Sequence, residues 1–194
     1  MFTKKPSPPP AAPARPTAPA AAPQPAGPRP AGWPMQVLTL DYFITGYLAP
    51  VEMPLAGFLN VPTQATVTLT GAQVQALGPQ AAVANASPAE VTLPKSSIVA
   101  FIPRDEAGMR AAALQMPNVP QRAVMYAGPF VISAAFMLAG EMPVRNLFSA
   151  GAGGSMLAVT QAQVACQIPG TRFAPLPAQI LIVNKALVQL YHPA

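Results

Sequence analysis

EMPLAGFLN at residues 52–60 is echoed by EMPVRNLFS at residues 141–149, 89 positions further along a chain of 194. How this pair is read decides the fold, because a phrase written twice implies an architecture built twice. Glu52, Met53 and Pro54 recur as Glu141, Met142 and Pro143, and Leu55 faces Val144. At an offset of 90, TGAQV at 70–74 lies over TQAQV at 160–164. The same offset then carries Lys95 onto Lys185, Phe101 onto Tyr191 and Pro103 onto Pro193 without a further gap.

Working outward, each copy has the same order of features: an aromatic apolar strand, the EMP phrase, a short apolar turn, an AQV strand, and a lysine followed by an apolar run ending in proline. VLTLDYFITGYL and MYAGPFVISAAFML are rich in β-branched and aromatic residues, and TVTLT alternates with period two as a half-buried strand does. SIVAFI and ILIVNKALVQLY are expected as buried strands or a strand pair. Pro54 suits the first position of a helical turn, with Leu55, Phe58 and Leu59 spaced to plug a sheet end. Val144, Leu147 and Phe148 repeat that spacing. The repeated phrase is therefore expected to be a core plug needed once per β unit.

Between the copies, RDEAGMRAAALQM offers Asp105 as a cap before alanine-rich sequence, and Pro117 and Pro120 end it. A short connecting helix is expected there. Asp105 and Glu106 are adjacent, so they diverge on a helix and form no carboxylate pair for acid–base work.

Composition divides the chain. Of the net charge of +5, four positive charges come from Lys4, Lys5, Arg15 and Arg29 in the first 34 residues, which hold no acidic side chain. The body is near neutral, and this removes most of the argument for nucleic acid that a basic chain would otherwise carry. Residues 1–34 are dominated by proline and alanine and have no periodic large apolar residues, so they are expected to be disordered. Within them Pro10, Pro13, Pro16 and Pro19 fall every third residue with Arg15 between two of them. This is the ridge of a polyproline II helix, either a spacer or a ligand for an aromatic-lined groove. No apolar run follows Lys4 and Lys5, as a secretory signal would require, and the longest apolar stretch, 129–140, is too short to span a bilayer as a helix.

The order of GFLN at 57–60, GAQV at 71–74, IVAFIP at 98–103 and VNKALV at 183–188 resembles an uncharacterised family of small bacterial β units that often occur as tandem pairs. The family's first phrase is Arg-Leu-Ser-Asp-x-Leu-Asn; both copies here lack the arginine and the aspartate, and the second also lacks the closing asparagine. The resemblance implies tandem β units and no particular chemistry.

The residues for chemistry are sparse. His192 is the sole histidine and Cys166 the sole cysteine, so no intramolecular disulfide exists and a zinc ligand set within one chain is not expected. Cys166 lies over Ala76 in the repeat and is expected to be a small core thiol rather than half of a dyad with His192. SAGAGGS at 149–155 is followed by no Lys-Ser/Thr pair and is expected to be a loop. Lys95 and Lys185 occupy equivalent positions, either as solvated lysines at strand ends or as a pseudo-symmetric pair for an anionic ligand.

The sequence thus predicts a mainly β protein. Two related β units, 35–103 and 124–194, would pack by their apolar faces with pseudo-two-fold symmetry; a connector with a short helix at 104–123 joins them, and a Pro/Ala tail precedes them. The expected function is a non-enzymatic protein-interaction or scaffold module in the cytoplasm, without cofactor or metal, whose partner is another protein or a second copy. Two alternatives are a small-ligand-binding module with its site between the units, and a binder of single-stranded nucleic acid aided by the basic tail.

Overall fold

The computed structural model describes residues 31–112, 119–138, 142–149 and 154–194. Ten strands form one antiparallel sheet. The first half contains β1 (Trp33–Thr39), β2 (Tyr42–Leu48), α1 (Leu55–Leu59), β3 (Thr66–Ala76), β4 (Glu90–Pro94), a 3-10 turn at Lys95–Ser97 and β5 (Ile98–Pro103). After α2 (Glu106–Ala112) come β6 (Val119–Ala127), β7 (Phe130–Leu138), α3 (Arg145–Phe148), β8 (Met156–Cys166), β9 (Leu176–Asn184), a 3-10 turn at Lys185–Leu187 and β10 (Val188–Pro193).

The two aromatic stretches are each a hairpin, not a single strand. β1 and β2 turn at Leu40 and Asp41, where the Thr39 hydroxyl accepts from the Tyr42 N–H at 3.0 Å. β6 and β7 turn at Gly128 and Pro129, with Gly128 at φ 56, a backbone region that glycine enters without steric cost. Of the expected plug, α1 buries Leu55 and Leu59 and half-buries Phe58; in the second copy Val144 is buried just before α3, while Leu147 and Phe148 are half-buried. Asp105 caps α2 by accepting from the Gly108 N–H at 2.7 Å.

The strand order is β10-β6-β7-β8-β9-β5-β1-β2-β3-β4. Each half therefore has the same internal order, fifth-first-second-third-fourth, and both halves repeat fine detail at an offset of 90. Gly71 and Gln161 both adopt left-handed φ, 56 and 49, where β3 and β8 shift register against β2 and β7. The Lys95 N–H donates to Ala65 O at 2.9 Å, and the Lys185 N–H to Ser155 O at 2.8 Å.

Among the described residues the expected pseudo-two-fold symmetry is absent, although apolar packing does occur between the halves: Leu38 and Leu77 lie in the core of the second, Met156 in that of the first, and Phe43 meets Phe173 edge-on at 5.4 Å. The halves join edge to edge: the fifth strand of the first half, β5, pairs with the fourth strand of the second, β9, through Ala100↔Val183 and Phe101↔Ile182. A two-fold axis would require the reciprocal pairing of β10 with β4, and those two strands instead end the sheet.

Side chains alternate across a strand, and the register shift at Val99 resets that alternation along β5, so β5 and β9 serve two cores at once. Leu181 and Val183 of β9, with Ala100 and Ile102 of β5, enter the core of the second half around Met125, Phe130, Ile132 and Phe136. Ile180, Ile182, Ile98 and Phe101 enter the core of the first half around Met35, Val37, Ile44 and Leu69. Burial on both faces explains why IVAFIP and ILIV read as continuous apolar runs.

Candidate functional site

The short β5–β9 ladder is reinforced by side chains that the two halves do not share. Asn60, just past α1, donates from Nδ2 to Ala56 O at 2.8 Å and to Met156 O at 2.9 Å, while its Oδ1 accepts from the Met156 N–H at 2.9 Å. One amide thus closes its own helix and satisfies both backbone groups of the first residue of β8 in the other half. Gly154 makes this approach feasible, since a Cβ there would collide with the Asn60 amide.

Asn184 secures the junction from the other side. Buried at the end of β9, it donates to Ile98 O at 3.0 Å and accepts from the Ala186 N–H at 3.1 Å, so it both pins β5 and caps the 3-10 turn. The repeat equivalents are Ser149 for Asn60 and Pro94 for Asn184. Among the described residues Ser149 makes the local bond alone, to Arg145 O at 3.2 Å, and a proline ring has no amide to offer.

Lys95 and Lys185 have matching partners. Lys95 Nζ donates to Phe58 O at 3.0 Å and Val61 O at 3.3 Å and sits 5.2 Å from the Phe58 ring centroid. Lys185 Nζ donates to Leu147 O at 3.1 Å, the equivalent of Phe58. Each lysine therefore caps the C-terminal carbonyls of its own half's short helix, a favourable place for a cation. Lys95 is only 9% exposed, and that burial lowers its pKa from the ordinary lysine value.

A cleft of about 630 Å³ opens at the junction, lined by Asn60, Val61, Lys95, Gly154, Asn184 and Leu187 among others. Lys185 is not among its lining residues. Asn60 and Asn184 escaped the sequence reading as functional residues. The available signal was the closing asparagine of GFLN, present in one copy and missing from the other.

The remaining sequence candidates are dispersed. His192 lies on β10 with Nε2 3.3 Å from Tyr126 Oη and Nδ1 2.7 Å from Pro193 O, whereas Cys166 ends β8, with β6 and β7 between them in the sheet. Among the described residues no three His, Cys, Asp or Glu side chains gather as a metal site, and no helix is long and apolar enough to cross a membrane. The tail ridge of Pro10, Pro13, Arg15, Pro16 and Pro19 lies outside the described residues.

The sheet ends at two strand edges, β4 and β10. On β10, Leu190 is 59% exposed, while its equivalent on β5, Ala100, is fully buried against β9. Compared with known proteins, the chain matches no family, no curated protein and no solved structure.

Proposed function

We propose that this chain is a non-enzymatic interaction module, a scaffold that recruits protein partners by extending its sheet at β4 and β10. The observation that carries the reading is the union of unlike edges at β5–β9, which leaves one edge of each kind unpaired, among the described residues, at the ends of the sheet. Unpaired strand edges are templates for further strands, and proteins that avoid such pairing blunt them with lysine, bulges or a covering element. EVTLP and VQLYHP contain a single charged side chain, Glu90, and the register shift of β10 between Val188 and Leu190 has its equivalent between Ile98 and Ala100 of β5, which pairs with β9 all the same. Main-chain hydrogen bonds at such an edge supply affinity and alternate side chains supply selectivity.

A small ligand in the junction cleft is less well supported, because the Asn60, Asn184 and Lys95 groups that line it already bond to backbone atoms. The test is capture from native lysate by the full chain, washed at low and high salt, beside the full-length variants Leu190→Lys and Thr92→Lys. Partners held at high salt by the wild type and released by an edge variant support the reading. Recovery of nucleic acid alone, removed by salt, would replace it.

A further inference from the structure

The intrachain junction is itself a description of what the free edges bind. A contact between unlike edges is heterologous, and repeating it joins each copy to the next, closing into a ring or continuing as a filament. We infer that the occupant of both free edges is a second copy of this chain: β10 of one molecule pairs antiparallel with β4 of the next, reproducing β5–β9. This rests on the edge-recruitment reading above and names its partner.

Three observations carry it. The strands that would meet are the repeat equivalents of strands that already pair, so the register follows: Ala100↔Val183 and Phe101↔Ile182 become Leu190 opposite Leu93 and Tyr191 opposite Thr92. Burial at the existing junction also marks what the free edges lack. Ala100, Phe101, Ile182 and Val183 are each fully buried, whereas of their equivalents Leu190 is 59% exposed, Thr92 is exposed and Tyr191 is half-buried, Leu93 alone being buried already. Finally, Tyr191 is already held in place, stacked on Phe148 at 4.3 Å between centroids, so the β10 edge is ordered before any partner arrives.

The same comparison sets the strength. Asn60 and Asn184 grip the intrachain junction, but Ser149 and Pro94 stand at their places between chains and cannot reproduce those bonds. The interface between copies is therefore the weaker of the two and comes apart while each chain remains folded.

The experiment measures the mass of the full chain in solution over a wide concentration range, for wild type, Leu190→Lys, Thr92→Lys and an equimolar mixture of the two variants. Both substitutions fall on exposed residues whose equivalents are buried at β5–β9, so a lysine there blocks pairing without entering a core. Wild type is expected to exceed the 20.0 kDa of one chain with rising concentration, and each variant to stay at that mass. The mixture is expected to stop at two chains, because one variant retains a working β4 and the other a working β10. That dimer also shows that both variants are folded. The proposal is overturned by a wild type that stays at 20.0 kDa throughout, by assembly that survives either substitution, or by a mixture that stays at the mass of one chain. If wild type stays single while lysate partners are still lost from the edge variants, the second copy is wrong and edge recruitment stands. Loss of neither mass nor partners removes both.

Discussion

Asn60 does three things with one side chain: it closes α1 through Ala56 O and takes both backbone groups of Met156 across the junction. At about 1 kcal/mol net per hydrogen bond, Asn60→Ala should cost roughly 2–3 kcal/mol, measured by denaturant unfolding of the full chain. Gly154→Ala should cost a similar amount by displacing the same amide, and the double variant should be little worse than either single one, because both remove one interaction. Lys95 gives a pH signature. Its folded pKa lies below 10.5, so the unfolded chain binds more protons between the lowered value and 10.5, and stability rises with pH across that window. Relative to Lys95→Met, the wild type should therefore gain stability as pH rises through that range and hold a constant difference below it, as thermal unfolding at stepped pH would show. Both lysines were visible in the sequence through the repeat, but their partners were not. A carbonyl at the end of a helix of four or five residues leaves no trace in side-chain pattern.

Elements were legible where apolar period or turn chemistry dominated. The plug helix followed from Pro54, Leu55, Phe58 and Leu59, with Pro54 one place earlier than expected as the N-cap; the α2 cap followed from Asp105, and β3 from the alternation of TVTLT, whose burial alternates in step. The hairpins were less legible because LeuAsp and GlyPro turns sit inside continuous apolar runs, so composition alone fused two strands into one. The AQV motif contained more than a strand: it marks the left-handed residue at which β3 and β8 shift register. Gly71→Val, placing a β-branched residue at φ 56, should destabilise the chain by about 1–2 kcal/mol. Gly71→Asn should cost much less, since asparagine tolerates that region; unfolding midpoints compare the two directly.

For the whole molecule, the repeat in sequence was read as two β units, and the structure is one ten-stranded antiparallel sheet in which the strand order of the first five recurs in the last five. The repeat did not predict how the halves join. Pseudo-symmetric packing was the expectation because small β units need mutual burial, and that burial is present, but it centres on two strands that each serve both cores, with Leu38, Leu77 and Met156 crossing as well. Edge choice depends on which strand ends lie side by side, and the clue was confined to Asn60 and Asn184, each present in one half only. If the junction is the stronger of two like interfaces, dilution should lower the mass of the assembly with no change in the far-ultraviolet circular dichroism of the chain. The most direct measurement is amide hydrogen exchange of the full chain at high and low concentration. The account predicts that β4 and β10 gain protection on concentrating, about Thr92 and Tyr191, while β5 and β9 stay protected at both. Equal exchange of β4 and β10 at every concentration in a chain that nonetheless associates would contradict it.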